Sequence, residues 1–460
     1  MSDRPRRFPV RIVVLSLAAL VLVAATAFVV LGQYPEQLQL ASGFKARTLC
    51  AGIFVQGLDP KRLEAEDSGF HFLFSWMVPS IDAEHQKVTV SLGGTGLFSA
   101  TAIRVPGLGA VLLAGRSEAE VRARLHSPVP AVPGPDLPLA PTTNPALVAA
   151  VDKTFVETDL KNPKRTRAVV VVVGGKIVAE RYAEGITPDT RLLAWSMAKS
   201  FTNALVGILV GQGKIDIRRP APVAAWQKPG DPRGAITVDQ LMRMSSGLAF
   251  SETYADKPIS DVNQMLMLEP DMGAYAAGLP LAAAPDTVWN YSSGSTNIVS
   301  RVIRQGFASD ADYWAFPYRA LFDPLGMGSA EWGVDASGTF VGSSYLYATA
   351  RDYAKFGLLA LHNGVWEGQR ILPEGWMRYA TTPTPTDADQ GYGAGYWLNA
   401  GQKTYPGVPA DLSYADGHNG QEVFFCPSLD LVAVRLGMIW EGDWGSGEFL
   451  ASLTKALAKK

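Results

Sequence analysis

Residues 192–210 read LLAWSMAKSFTNALVGILV, and this stretch decides how the rest of the chain is interpreted. Ser196 and Lys199 are three residues apart, so a helix would place them on one face, one turn from each other. Gly211 and Gly213 follow as helix-ending residues. The stretch therefore predicts a helix that presents a serine and a lysine at its N-terminal end. Its buried face is an apolar stripe made of Phe201, Leu205, Ile208 and Leu209.

A serine in this position is suited to nucleophilic catalysis. Unpaired N–H groups and the positive end of the helix dipole stabilise an alkoxide or an oxyanion there. Burial would disfavour the charged form of Lys199 and let it act as a base. The alternative is a serine cap followed by a surface lysine. Ser-x-x-Lys also occurs at Ser42/Lys45 and Ser452/Lys455, but neither pair opens a predicted helix after an apolar lead-in.

Two further motifs carry polar groups that could join this site. Tyr291-Ser292-Ser293 precedes an apolar helical run, and a phenol there can relay a proton. His418-Asn419-Gly420 leads into the strand-like run 421–425, whose edge can supply an oxyanion donor. The alternatives are a packing tyrosine beside a serine cap and an ordinary turn before a strand.

The composition excludes some classes of function. Of the 460 residues 47% are hydrophobic and the formal net charge is −2, so no basic surface for nucleic acid is indicated. Two cysteines, Cys50 and Cys426, are too few for a zinc site or a disulfide framework. They are either separate buried thiols or one long-range disulfide. We expect no metal and no cofactor.

The N-terminus predicts a membrane anchor. Arginines precede an uncharged run over Ile12–Gly32, which has about the ~20 residues that a membrane-spanning helix needs. Positive charge before the run predicts a single-pass inner-membrane protein whose catalytic domain is periplasmic. The alternative is a cleaved signal peptide with a site near Ala25-Thr26-Ala27. The arginines are Arg4, Arg6, Arg7 and Arg11.

Four segments follow from these patterns. Residues 1–33 are the cytoplasmic tip and anchor, 34–127 an accessory region of unknown role, 128–145 a proline-rich linker, and 146–460 the catalytic domain. In the last segment a hairpin turns at Gly174-Gly175 and another precedes a C-terminal helix. We expect an α+β fold, with one antiparallel sheet closed by early and late strands.

Five stretches in order make the chain resemble the class C β-lactamase-like serine hydrolases, and among them the aminohexanoate-dimer hydrolases and related esterases. They are residues 195–203, 237–248, 291–297, 347–357 and 417–421. The resemblance implies a β-lactamase/penicillin-binding-protein-like fold, an antiparallel sheet flanked by helices plus a helical domain. It also implies that Ser196 is acylated, that Lys199 is its base and that Tyr291 is the proton relay. We also expect His418 among the catalytic residues, because its side chain could hydrogen-bond the substrate or the serine relay.

Two departures from the family pattern affect the expected substrate. Ser293 replaces the asparagine of Tyr-x-Asn, and His418-Asn419-Gly420 stands where Lys-Thr-Gly is expected. The lysine that would hold a β-lactam carboxylate is therefore missing. We expect a small amide or ester substrate. The alternatives are a DD-peptidase-like cell-wall enzyme and a non-catalytic penicillin-recognising sensor or scaffold. The expected substrate-binding residues are Ser293, Tyr254, Asn419, Gly420 and Gln421.

Overall fold

The computed structural model describes residues 14–24, 34–126, 131–254 and 259–458. The α-helices are residues 14–24 (α1), Pro35–Phe54 (α2), Pro60–Glu66 (α3), Leu73–Trp76 (α4), Glu118–Arg124 (α5), Pro145–Thr154 (α6), Ala198–Gly211 (α7), Val238–Met242 (α8), Asp261–Leu268 (α9), Met272–Gly278 (α10), Ser293–Gln305 (α11), Asp310–Pro317 (α12), Asp323–Leu325 (α13), Ala350–Leu361 (α14), Trp376–Ala380 (α15) and Ser446–Leu457 (α16).

The strands form four sheets within those residues. They are Met77–Asp82 (β1), Lys87–Leu92 (β2), Ala100–Arg104 (β3), Ala110–Leu112 (β4), Thr166–Val173 (β5), Lys176–Tyr182 (β6), Leu192–Leu193 (β7), Glu331–Trp332 (β8), Leu346–Ala348 (β9), Val365–Trp366 (β10), Gln369–Arg370 (β11), Trp397–Leu398 (β12), Ser413–Gly417 (β13), Gln421–Cys426 (β14) and Leu431–Gly437 (β15).

The predicted membrane-spanning helix over Ile12–Gly32 needs correction. No helix in the described ranges combines the length and the apolar character that crossing a membrane requires. The described part of the predicted span, residues 14–24, is helical. The expected inner-membrane localisation rested on this helix and is corrected with it. Residues 12–13 and 25–32 of the run lie outside the described part of the chain.

The main sheet has six antiparallel strands in the order β12-β13-β14-β15-β5-β6. The early strand β5 pairs with the late strand β15, with Val170 opposite Val434. Gly174 and Gly175 turn the β5–β6 hairpin with φ of 59° and 71°, which glycine adopts without strain. The predicted α+β class, with early and late strands closing one sheet, is confirmed.

Helices cover both faces of this sheet. Val170 and Val172 of β5 belong to the core that includes α7 and α14, whereas Val169 and Val171 belong to the core that includes α6 and α16. Every second residue of a strand points to the same face, so a run of valines serves both cores. Phe201 of α7 stacks on Phe356 of α14, with ring centroids 3.7 Å apart. This packing fixes the helix that carries Ser196.

Residues 34–126 build a smaller unit against the same core. Its sheet, β1-β2-β3-β4, packs on α2, and many of its buried apolar side chains share one core with α7. Lys45 of α2 donates to the carbonyls of Phe74 and Met77, at 3.2 and 2.8 Å, which holds the helix to the start of the sheet.

An extended segment connects this unit to the main sheet. Leu139 pairs in parallel with Ile177 of β6, and Thr142 N donates to the Val178 carbonyl at 2.8 Å. The proline-rich residues therefore cover the outer edge of β6, a position where missing N–H groups cost little. The domain boundaries at 33/34, 127/128 and 145/146 remain predictions.

The two cysteines are free and buried. Cys50 of α2 lies in the core shared with α7, and Cys426 of β14 lies in the core on the other face of the sheet. Burial raises the pKa of both thiols, to about 12 for Cys50 and about 11 for Cys426. Cys50 and Cys426 are therefore two separate buried thiols and do not form the long-range disulfide.

Candidate active site

Ser196 lies in a 3-10 turn, Trp195–Met197, that leads directly into α7. Trp195 has φ of 45°, a left-handed conformation that is costly for a bulky residue and that turns the chain sharply out of β7. Because Ser196 is among the first residues of the helical segment, its N–H has no partner one turn earlier in the helix. The hydroxyl and this N–H are therefore available at a helix N-terminus.

Lys199 projects its amine onto the serine. Its Nζ is 2.7 Å from Ser196 Oγ and 3.0 Å from Ser293 Oγ. The side chain is buried, with 3% of the residue exposed. Burial lowers the pKa of Lys199 to about 8, while the charges of Glu252 and Asp416 oppose that shift. With this pKa a minor fraction of the amine, about a tenth at pH 7, is neutral, and that neutral form can accept the serine proton.

Tyr291 forms another side of the site. Its ring lies under the amine of Lys199, with Nζ 4.7 Å from the ring centroid. Burial raises the pKa of Tyr291 well above its usual value, and a hydrogen bond with Ser196 acts in the opposite direction. The phenol therefore stays protonated and can act as a proton donor. Tyr392 and Trp397 hold its ring in place, at centroid distances of 5.7 and 5.3 Å.

Glu252 is part of this site and was missed by the sequence analysis. Its carboxylate accepts from Ser293 N at 2.7 Å, from Ser293 Oγ at 2.5 Å and from the Tyr254 hydroxyl at 3.0 Å. It therefore both caps α11 and orients the Ser293 hydroxyl that accepts from Lys199. The available signal was its position two residues before Tyr254, which the sequence analysis names as a substrate-binding residue.

The end of β13 lies against the backbone of the nucleophile. A Cβ at Gly417 would be 2.2 Å from the Ala194 carbonyl oxygen and 3.2 Å from Ser196 N, so only glycine fits there. His418 follows directly, so its backbone N–H is a candidate for a second oxyanion donor. Its ring stacks on Tyr254 at 4.8 Å and meets Trp195 edge-on at 5.8 Å. The residue is exposed, so the ring lies at the mouth of the site.

The next three predicted residues serve the turn itself. Asn419 donates to the Ile439 carbonyl at 2.6 Å, and the Gly420 carbonyl accepts from Arg435 at 2.7 Å. The Gln421 amide donates to the Gly437 carbonyl at 2.6 Å and accepts from Gly437 N at 3.1 Å. These polar groups are occupied by backbone partners, so the structure does not direct them to Ser196. Gly417 is the residue of this segment whose backbone lies against that of Ala194 and Ser196.

A carboxylate on β13 adds to the electrostatics of the site. Burial raises the pKa of Asp416 to about 7, while the charge of Lys199 lowers it. The charges of Asp416 and Glu252 thus both favour the protonated amine of Lys199, whereas burial favours its neutral form. The described residues include no group of three or more His, Cys, Asp or Glu side chains that could hold a metal ion.

Comparison with known proteins identifies the family of this chain. The family model described as Beta-lactamase matches residues 156–440, which is more than half of the chain. The chain belongs to the Beta-lactamase family. The serine hydrolase activity and the β-lactamase-like fold expected from the sequence are thereby confirmed, and the aminohexanoate-dimer hydrolase resemblance is confirmed by the relatives below.

Named relatives of this β-lactamase-family enzyme are distant. A 6-aminohexanoate-dimer hydrolase of Paenarthrobacter ureafaciens is 25% identical over 293 residues, which cover 59% of this chain and 72% of that protein. A Bacillus anthracis structure, provisionally assigned as a 6-aminohexanoate-dimer hydrolase, is 20% identical with a TM-score of 0.59, covering 77% of this chain and 96% of its own. A penicillin-binding protein homologue from Caulobacter crescentus is 15% identical with a TM-score of 0.52, covering 70% of this chain and 100% of its own.

The other two Ser-x-x-Lys pairs of this serine hydrolase have different surroundings. Ser42 is buried in α2 and donates to the Leu38 carbonyl at 2.7 Å, while Lys45 pairs with Glu64. Ser452 donates to the Glu448 carbonyl of its own helix at 2.8 Å. It lines a cavity of about 660 Å³ between α6 and α16, which pack on the opposite face of the sheet from α7.

The pKa of Lys199 leads to a prediction for the pH dependence of catalysis. If the neutral amine is the base, kcat/KM for an ester should rise with pH through an apparent pKa near 8 and then level off. Because the Glu252 charge raises the pKa of Lys199, Glu252→Gln should move this rise to lower pH while reducing the rate. Stopped-flow rates over pH 5–10 measure both profiles. A rise that moves to higher pH in Glu252→Gln would contradict this electrostatic assignment.

Proposed function

We propose that this enzyme is an amidase or esterase that cleaves a small substrate through an acyl-enzyme on Ser196. The observation that carries the proposal is the 2.7 Å contact between Lys199 Nζ and Ser196 Oγ, made by a buried amine whose pKa is near 8. A nucleophile within hydrogen-bond reach of a base, with the base oriented by a third group, is the arrangement that covalent catalysis needs. Ser293, held by Glu252, is that third group.

In the acylation step the Ser196 proton passes to Lys199 Nζ while Oγ attacks the carbonyl carbon of the substrate. The carbonyl oxygen becomes an oxyanion, which the backbone N–H groups of Ser196 and His418 would stabilise. Tyr291 then donates its proton to the departing alcohol or amine and recovers one from Lys199. The bond to the leaving group breaks, and an ester between Ser196 and the acyl group remains.

In the deacylation step a water molecule replaces the leaving group. Its proton passes through Tyr291 to Lys199, its oxygen attacks the acyl carbon, and Ser196 leaves with a proton returned from Lys199. Lys199 is thus neutral at the start of each half-reaction. The carboxylate of Glu252 stabilises the ammonium that forms in between, through the Ser293 hydroxyl.

The choice of a linear amide or ester as substrate rests on two observations. The names of the relatives refer to hydrolysis of an aminohexanoate dimer. In addition, Gly417 occupies the position beside Ser196, and the residues flanking it on β13 and the turn are Asp416 and His418, with no lysine among them. A carboxylate-bearing lactam would meet a negative or neutral side chain there.

Substitutions in the proposed catalytic group should reduce kcat far more than a substitution at a matched control residue. Ser196→Ala should reduce kcat for a chromogenic ester by as much as ~10⁶-fold. Lys199→Ala and Tyr291→Phe should each cause a large part of that reduction. The reductions should not add in combined variants, because the three residues act as a unit. His418→Ala should cost about 10²-fold. Steady-state kinetics give these values.

The control is Ser452→Ala, which removes the half-buried serine of another Ser-x-x-Lys pair and should leave kcat unchanged. Circular dichroism checks that each variant is folded. Wild-type turnover by a folded Ser196→Ala enzyme would overturn the proposal.

Turnover of β-lactams should be poor. Loss of one charge-assisted hydrogen bond to the substrate carboxylate costs about 1.5–3 kcal/mol, which corresponds to about ten- to a hundredfold in affinity. Nitrocefin hydrolysis, followed by its colour change, should therefore be slow compared with ester hydrolysis by the same preparation. Nitrocefin kcat/KM equal to or above that of the best ester would contradict this expectation.

A further inference from the structure

A buried arginine of the accessory region is stacked on a tyrosine of the catalytic domain. Arg47 of α2 has only 1% of its surface exposed. Its guanidinium carbon lies 3.5 Å from the ring centroid of Tyr345, and Nη2 donates to the Val334 carbonyl at 3.2 Å. Nε and Nη1 have no hydrogen-bond partner among the described residues. The guanidinium is therefore held by one ring and one backbone carbonyl.

The environment of this charge is unusual. Burial of a guanidinium without a carboxylate partner disfavours folding, because the ion loses its hydration. The face of an aromatic ring attracts the cation and recovers part of that free energy. Departures from packing rules of this kind are expected at functional or strained sites. The place of Tyr345 in the structure therefore decides what the buried Arg47 stabilises.

The stacked tyrosine lies two residues after a contact of the catalytic base. The Ser343 carbonyl is 3.5 Å from Lys199 Nζ. Ser343 Oγ accepts from the side chain of Asn297 at 3.1 Å, which ties the same residue to α11. A displacement of Tyr345 along the chain would therefore move a carbonyl that the amine of Lys199 contacts.

The same tyrosine packs against the residue before the nucleophile. The ring centroids of Tyr345 and Trp195 are 5.6 Å apart. Both residues are left-handed, with φ of 60° and 45°, a conformation that persists in bulky residues only where the surrounding structure holds it. The carbonyl of Leu346 accepts from Ala194 N at 2.8 Å. The backbone that presents Ser196 is thus fixed from the segment that carries the stacked ring.

We propose that Arg47 is a positioning residue for catalysis. Its guanidinium fixes the ring of Tyr345, and the segment of this ring keeps Ser196 and Lys199 at reacting distance. This inference rests on the proposed acyl-enzyme function. It gives the accessory region a part in the active site, because Arg47 precedes the family-matched residues 156–440. Arg47 acts on the reaction only through Tyr345.

Arg47→Met tests this role, because methionine keeps an apolar stem and removes the stacked guanidinium. We expect kcat for p-nitrophenyl acetate to fall about 10- to 100-fold with KM changed at most about twofold, since a misplacement of about 1 Å has an effect of that order on rate. The rate constant for fluorophosphonate labelling of Ser196 should fall by the same factor. Circular dichroism and Tm establish that the variant is folded at the assay temperature.

Tyr345→Leu removes the same contact from the catalytic domain and also serves if Arg47→Met does not fold. It should lower kcat by a similar factor. The double variant Arg47→Met/Tyr345→Leu should be no slower than the slower single variant, because both substitutions remove one shared contact. Effects on kcat that multiply in the double variant would mean that the two residues act independently, and would contradict the proposal.

The matched control is Arg104→Met. Arg104 of β3 is another largely buried arginine of the accessory region, and it pairs with Glu331 of β8 at 2.9 Å. In that sheet β9 separates β8 from β7, the strand that leads to the nucleophile. Its loss should lower Tm, because Glu331 is left buried without its partner. The kcat of Arg104→Met should stay within about twofold of the wild type, as expected for a substitution that does not reach the reacting groups.

Two results would overturn the positioning role. One is a wild-type kcat in folded Arg47→Met, and the other is an equal loss of kcat in Arg104→Met. Failure of the proposed function itself would be recognised separately, as acetate hydrolysis that persists in Ser196→Ala.

Discussion

The hydrogen bond from the buried amine of Lys199 to Ser196 is the interaction on which the chemistry of this enzyme depends. A lysine in a dry site loses hydration, and this lowers its pKa to about 8. The carboxylates of Glu252 and Asp416 limit that decrease. The site therefore holds the amine close to its titration point, where it can take and return a proton within one catalytic cycle.

Much of the fold can be understood as support for this one contact. Helix α7 packs against α14 on one face of the sheet, as the stacked rings of Phe201 and Phe356 illustrate. The glycine at 417 lets β13 approach the backbone of Ala194 and Ser196 closely. On the other side, Phe44 of α2 and Tyr345, which precedes β9, pack against the left-handed Trp195. Strain at Trp195 is thus compensated by aromatic packing from two separate parts of the chain.

The sequence was most informative where a local pattern determines a local structure. The valine run and Gly174-Gly175 predicted the β5–β6 hairpin, and the apolar stripe after Ser196 predicted α7. Three-residue spacing placed Ser196 and Lys199 together for the same reason. Glu252 lies 41 residues before Ser293 in a loop, and no periodicity links the two. The contact of Phe44 with Trp195 was equally hidden, since these two residues meet only through tertiary packing. The apolar run near the N-terminus misled the interpretation, because hydrophobicity alone does not establish a membrane-spanning helix.

Covalent labelling tests the central claim most directly. The chain has three Ser-x-x-Lys serines, and only Ser196 has its lysine amine within hydrogen-bond distance among the described side chains. A fluorophosphonate probe followed by peptide mass spectrometry should place one adduct on Ser196, with labelling that increases with pH through about 8 as Lys199 loses its proton. Ser42 and Ser452 should remain unmodified. An adduct on another serine, with Ser196 unlabelled in the folded protein, would contradict the account.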